Sequence, residues 1–333
     1  MDRPVVAVVL AGGTGTRLYP ASRPDRPKQL LSFGGERSLL ARTVDRAGFA
    51  DEVYVLTRAG IADDVRAEVP NAAVLVEPEP RDTGPALAYA AHRIREQVGE
   101  AVCCCLPSDH HVAGAFAPTM RTAAAVATET GGLVTVGVEP DRPATGYGYV
   151  APGTQFDGYS AVREFVEKPE AAAARQYIEQ GYLWNAGMFV WTASAFLEAA
   201  RETVLEPLLT ALSSGDAERG FRAAPSISVD RAVLEGAEDV YVVPAGFEWA
   251  DLGTWDAVWR AAERTERGNL HLGETLAVDV ENSVLATDEH VSAVGVSDLV
   301  IASYGGRTLV VPRDRAERVR EVVERLREEG RYA

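Results

Sequence analysis

Unbroken apolar runs take turns with polar, helix-spaced stretches along the first part of the chain. PVVAVVL (4–10), EVYVLT (52–57), AAVLVE (72–77), AVCCCLP (101–107) and GLVTVGV (132–138) do not alternate apolar with polar positions. Such runs suit parallel strands covered on both faces. The segments 38–48, 60–68, 84–98 and 115–130 between them have helical spacing, and Asp82-Thr83 stands where a helix cap belongs. Strand and helix in regular turn, joined by short connections, predict an α/β, doubly wound, Rossmann-like sheet. Ligands of such sheets bind beyond the carboxyl ends of the strands, where AGGTGTR, EPEPRDTG and LPSDHH fall.

Past residue 140 the pattern becomes mixed. Short strands (147–151, 161–166, 187–192, 239–243) interleave with helices (169–180, 193–213, 254–264), as insertions walling a pocket would. From about 265 the texture is β-rich with frequent turn residues, consistent with a few rungs of a β-solenoid, though no regular period emerges. DRAERVREVVERLREEG closes the chain as a charged amphipathic helix. The expected division is a large domain over 1–264 and a small one over 265–333.

Charge narrows the choice of partners. A net charge of −16 argues against nucleic acid or an anionic membrane as a bulk partner, yet permits a phosphorylated small substrate at a local basic site. No apolar run is long enough to span a bilayer, and the N-terminus enters a strand without a basic leader, so a cytoplasmic protein is expected. Cys103, Cys104 and Cys105 are consecutive. Neighbours on a strand point to opposite faces, which favours packing over a metal cage or a disulfide.

The chemistry gathers at VVLAGGTGTRLYP. Gly12, Gly13 and Gly15 would let backbone N–H groups approach a phosphate chain. The dinucleotide fingerprint lacks its third glycine, and no Lys-Ser or Lys-Thr completes a Walker A loop. What remains is a glycine turn, Arg17, and Lys28 eleven residues later in RPKQLL, a spacing that can bring both cations onto one polyphosphate. Of 33 basic residues only Lys28 and Lys168 are lysine. A compact ammonium on a flexible stem can follow a moving phosphoryl oxygen as an arginine fork cannot.

G-G-x-G-T-R-L-x-P followed by P-K resembles the signature of the sugar-nucleotidyltransferases. EPEPRDTGPA (77–86), LPSDH (106–110), TGYGYV (145–150), FVEKP (165–169), WNAGMF (184–189) and WADLGTWDAVW (249–259) match in order. Arg-Asp-Thr-Gly-Pro-Ala, WNAGMF and LGTWDAVW resemble the mannose-1-phosphate guanylyltransferase branch. That branch usually has Asn where this chain has Asp82 and Ala where it has Gly84. Many bacterial members continue into a cupin-type isomerase domain. This chain stops before one, so no isomerase activity is expected.

The resemblance implies a GT-A-like nucleotidyltransferase sheet followed by a small left-handed β-helix. It also implies the reaction of GTP with mannose 1-phosphate to give GDP-mannose and diphosphate with Mg²⁺. Asp109 and Asp251 match the metal aspartates, although singly they could be a cap and a turn residue. His110 and His111 are read as packing or hydrogen-bonding groups. Arg17 and Lys28 would hold the β- and γ-phosphates, and Lys168 the sugar's phosphate. Glu167 and Asn185 would face sugar hydroxyls, with Gly148 leaving room for the ring. Glu77 would accept from guanine N1–H and N2–H₂, unless it is only a solvated strand end. Ala11, Gly12 and Gly84 are expected near the base, and a homodimer is expected from the solenoid tail. The competing readings are a glucose-1-phosphate uridylyl- or thymidylyltransferase and a non-catalytic GDP-mannose-binding regulatory subunit.

Overall fold

The computed structural model describes residues 3–13, 15–33 and 35–332. Thr14, in the middle of the glycine-rich motif, lies outside them. The strands begin with β1 (Val5–Leu10), β2 (Glu52–Arg58), β3 (Ala73–Glu77), β4 (Val102–Pro107), β5 (His110–Gly114) and β6 (Leu133–Val138). Next come β7 (Tyr149–Gln155), β8 (Ser160–Val166), β9 (Leu183–Thr192), β10 (Val240–Pro244) and β11 (Phe247–Asp251). The last four are β12 (Leu270–Val278), β13 (Val284–Val294), β14 (Leu299–Tyr304) and β15 (Arg307–Pro312). The helices needed below are α1 (Leu39–Arg46), α2 (Ala62–Glu68), α3 (Thr83–Gln97), α4 (Phe116–Thr130), α5 (Ala171–Glu179), α6 (Ala193–Arg201) and α7 (Glu206–Ser213). They are followed by α8 (Ala217–Ala223), α9 (Trp255–Ala261) and α10 (Val319–Glu328). Among the described residues, no helix is long and apolar enough to cross a membrane.

Two compact units divide the chain. The first comprises residues 1–12, 44–107 and 112–249; the second comprises 13–43, 108–111 and 250–333. The first unit holds a nine-stranded mixed sheet of order β3-β2-β1-β4-β9-β6-β10-β8-β7. β3, β2, β1 and β4 are parallel, β9 runs antiparallel between β4 and β6, and β10 pairs parallel with β6. Strand order reverses between β1 and β4, the place where open α/β sheets form their ligand crevice. Both faces are covered, as the unbroken apolar runs require. Val6, Val8, Cys103 and Cys105 enter one core with α3 and α6, while Ala7 and Cys104 enter the other with α4. The three cysteines are free and buried, each in register with a β1 residue. Burial pushes the Cys103 thiol up to about 12.

The segment expected as one helix over 193–213 is two. α6 ends at Arg201 and α7 begins at Glu206, with Pro207 in its first turn where no N–H is needed.

In the second unit β12, β13 and β14 stack in parallel and β15 closes antiparallel. Leu270 faces Val284, an offset of 14 residues, whereas Glu274 faces His290 and Val284 faces Val300, offsets of 16. The slip occurs at Gly273, which has φ +93° and where a Cβ would stand 2.1 Å from the Thr287 carbonyl oxygen. The corners carry the same spacing: Gly268, Asn282 and Asp298 are all left-handed. Asn269 stitches the rungs, donating to the Val280 carbonyl at 2.6 Å and accepting from the Ser283 N–H at 3.0 Å. Leu270, Val284 and Val300 share their core with Leu18 and Tyr19 of the glycine-rich segment and with Trp255 of α9.

Candidate active site

The predicted residues fall into three groups. The first lies in the second unit. Pro27 is extended, and the chain then turns in a single 3-10 turn, Lys28–Leu30, which carries Lys28 inward until the residue is 2 % exposed. Its Nζ donates to Asp109 Oδ2 at 2.8 Å and to Asp251 Oδ1 at 3.3 Å. Asp109 comes two residues after β4, and Asp251 ends β11. Gly15 makes this approach possible: it is left-handed, and a Cβ there would stand 2.4 Å from the Lys28 Cβ. Burial alone would lower the Lys28 pKa, but Asp109 and then Asp251 outweigh it and raise it. Burial would likewise raise the Asp109 pKa, and Lys28 with His110 reverses that, holding the carboxyl well below its usual range. His110 Nε2 lies 3.9 Å from Asp109 Oδ1.

Arg17 follows the glycine turn in a 3-10 turn, Thr16–Leu18, and its Nη1 donates to Glu317 Oε2 at 2.9 Å. Trp255 Nε1 holds the same segment by donating to the Tyr19 carbonyl at 3.1 Å. A Cβ on Gly253 would stand 2.9 Å from Arg17 Nη2 and 3.0 and 3.2 Å from the two Asp251 oxygens. Only a residue without a side chain leaves that carboxylate open.

A divalent ion suits this donor set. Among the described residues no three His, Cys, Asp or Glu side chains form a ready-made cage. Mg²⁺ is typically held by one or two carboxylates while water and phosphate complete its shell, and Asp109 and Asp251, brought together by the Lys28 ammonium, supply that number.

The second group lies in the first unit, at the ends of β1 and β3. Glu77 is buried and closes β3, paired with Arg58 of β2. A Cβ on Gly12 would stand 3.2 Å from Glu77 Oε1. Ala11 is pinned beside it, its N–H donating to the Leu56 carbonyl at 2.8 Å and its carbonyl accepting from the Thr57 hydroxyl at 3.0 Å. Burial pushes the Glu77 carboxyl up to about 7, against the pull of Arg58. Gly13, the next residue, begins the second unit, and among the described residues nothing lies within 4 Å of where its Cβ would stand. Gly84 is in the first turn of α3, where a Cβ would meet the Ile227 carbonyl oxygen at 2.8 Å. Asp82 caps that helix as expected, accepting from the Thr83 N–H at 2.7 Å with a backbone at φ 68° and ψ 179°.

The third group comes from three adjacent strands. Gly148 precedes β7, Glu167 and Lys168 follow β8, and Asn185 lies within β9. A Cβ on Gly148 would stand 2.7 Å from Glu167 Oε2 and 3.4 Å from the Asn185 Cβ. The Glu167 side chain is 7 % exposed and its Oε1 accepts from Lys168, which is 56 % exposed and left-handed at φ 51°. Asn185 is a strand residue, and its Nδ2 donates to Asp230 Oδ1 at 2.8 Å. Sequence reasoning passed over Asp230 because nothing in SVDRAVLEG sets this acid apart from the chain's many others. It passed over Gly253 because nothing in LGTW announces a carboxylate neighbour.

The nucleotidyl transferase family model matches residues 6–268, and a MannoseP isomerase/GMP-like β-helix domain matches 273–326. The chain is 35% identical over 350 residues to the xanthan biosynthesis protein XanB of Xanthomonas campestris pv. campestris, covering 98% of this chain and 74% of that protein. It is 36% identical over 354 residues to the mannose-1-phosphate guanylyltransferase of Escherichia coli K12, again covering 98% and 74%. The crystal structure of a protein named mannose-1-phosphate geranyltransferase from Thermus thermophilus superposes with a TM-score of 0.91 at 34% identity, covering 98% of this chain and all of that one. The chain belongs to the nucleotidyl transferase family, in the branch that contains the mannose-1-phosphate guanylyltransferases.

Proposed function

We propose that this chain transfers the guanylyl group of GTP to α-D-mannose 1-phosphate, giving GDP-mannose and diphosphate. The observation that carries the reading is the Lys28 ammonium held between Asp109 and Asp251, in a chain whose relatives include a named guanylyltransferase. A phosphate oxygen of the sugar attacks the α-phosphorus in line. The new P–O bond forms as the bond from the α-phosphorus to the bridging oxygen breaks, and the electron pair leaves with diphosphate. The nucleophile is already an anion, so the protein need supply only position and charge compensation.

Arg17 and Lys28 take the β- and γ-phosphates, and the Lys28 ammonium follows the departing charge. Asp109 and Asp251 would hold Mg²⁺, which when bound screens the phosphates from one another. Lys168 takes the sugar phosphate, and Glu167, Asn185 and the space at Gly148 take the ring. Glu77, with the main chain at Ala11, Gly12 and Gly13, reads guanine, and Gly84 shapes the same region. Residues 1–264 form the catalytic module and 265–333 the accessory one, a division supported by the two family matches meeting between 268 and 273.

The test is diphosphate release with Mg²⁺, crossing GTP, ATP, UTP and dTTP with mannose 1-phosphate and glucose 1-phosphate. Release confined to GTP with mannose 1-phosphate is expected. Release only with UTP or dTTP and glucose 1-phosphate would overturn the choice of base and sugar while leaving the family intact.

A further inference from the structure

Asp230 opens a π-helical turn, Asp230–Leu234, and is half-buried there. Its surroundings fix its direction from both sides. Asn185 Oδ1 accepts from the Thr135 hydroxyl at 2.8 Å and from the Gly187 N–H at 3.0 Å. With the amide oxygen committed to two donors, the amide nitrogen must face Asp230, and it does so at 2.8 Å. Asn185 therefore spends its carbonyl inside the protein and works as a bracket for a carboxylate.

The backbone leading to Asp230 is equally tied. Val229 N–H donates to the Thr83 hydroxyl at 2.9 Å, and Gly84 N–H donates to the Ile227 carbonyl at 3.0 Å. Val229, Val233 and Leu234 are buried in the main core. A carboxylate on such a support keeps its position without the ligand.

Glu167 shares these surroundings. Its Oε2 lies where Gly148 lacks a side chain, and its charge adds to burial in pushing the Asp230 carboxyl up to about 6. Lys168 offsets this repulsion only in part, and the two carboxylates keep acceptor capacity that a ligand can complete. A pair of hydroxyl donors on adjacent carbons does so without adding charge.

We propose that Asp230 is a sugar-reading residue: bracketed by Asn185, its carboxylate and that of Glu167 accept hydrogen bonds from neighbouring hydroxyls of the hexose 1-phosphate. The inference rests on the reading of this pocket as the sugar subsite given above. Asp230 then selects among hexose 1-phosphates by where their hydroxyls stand.

The experiment uses Asp230→Asn, which keeps an oxygen for the Asn185 bond. Steady-state rates are measured at saturating GTP with mannose 1-phosphate and its 2-, 3- and 4-deoxy analogues, for wild type and variant. The variant is expected to raise the KM for mannose 1-phosphate by about 10- to 100-fold, the loss of a hydrogen bond to a charged group, with the KM for GTP unchanged. For the one analogue lacking the hydroxyl that Asp230 reads, wild type and variant should perform alike. A loss of the same size for the parent and all three analogues, or no change in KM, overturns the inference. Wild type that is inactive with mannose 1-phosphate and GTP overturns both this and the functional reading, whereas active wild type with a uniform loss overturns the inference alone. If Asp230→Asn misfolds, Asp230→Ser with calorimetric GTP binding as the folding control gives the same comparison.

Discussion

The two lysines of this chain each stand with two acids, and the arrangements are opposite in kind. Lys28 is buried and donates to both Asp109 and Asp251. Lys168 is largely exposed and reaches Glu167, while Asp230 is turned toward Asn185. In the first cluster one cation compensates two anions directly, and the Asp109 carboxyl sits below its usual range. In the second the compensation is partial, and the Asp230 carboxyl sits above its usual range. On the function proposed above, the first manages charge that arrives and departs, as phosphate chemistry demands. On the same reading, the second offers acceptors to neutral donors, as hydroxyl recognition demands.

The sharpest way to break this comparison is at Lys28. Lys28→Met removes the ammonium between two aspartates, and turnover should fall by about a thousandfold or more. Its thermal unfolding should show a loss of about 2 kcal/mol, modest for a broken buried pair because Asp109 and Asp251 are 36 % and 25 % exposed. Lys28→Arg keeps the charge and should still lose most turnover. Wild-type kinetics in that variant would remove the argument that a point charge is required.

Glu77 tests whether a third carboxylate behaves as a reader. Its free-enzyme pKa is raised to about 7, so it is protonated below that pH and ionised above it. Only the ionised form accepts both guanine donors. The kcat/KM for GTP should therefore drop by about tenfold from pH 8 to pH 6, and Glu77→Gln should flatten that limb of the profile. The stability consequence has the opposite sign. With a folded pKa above the unfolded one, Glu77 favours the folded state most below the ordinary carboxylate range, and that contribution is lost as pH rises through about 7.

Lys168→Arg sharpens the contrast from the exposed side. It should raise the KM for the sugar phosphate by about three- to tenfold, with a smaller effect on kcat. The smallest effect is expected at Glu317. Its bond to Arg17 is an exposed ion pair, so Glu317→Gln should lower the KM for GTP by about twofold at most, read from initial rates at low and high salt.

Much of the sheet was legible because strands buried on both faces need unbroken apolar runs, and β1, β2, β3, β4 and β6 have them. Clusters were legible where chemistry demands a rare residue: two lysines stand out among 33 cations. Asp230 was not, because nothing in SVDRAVLEG sets this acid apart from the chain's many others and only the fold brings Asn185 to it. The rungs of β12 to β14 were not, because their offset changes from 14 to 16 at Gly273 and the repeat lives in left-handed corners occupied by Gly, Asn and Asp in turn. The break between α6 and α7 was readable in hindsight from Glu206-Pro207.

The three adjacent cysteines of β4 have a practical corollary. All are buried, unpaired and shifted toward the unreactive thiol form. Native protein should therefore stay silent toward maleimide or iodoacetamide dyes near neutral pH, so that one cysteine placed on an exposed turn becomes a site-selective label without first stripping the native thiols. In the unlabelled protein, the slow appearance of three reactive sulfurs becomes a clock for the opening of the central strand.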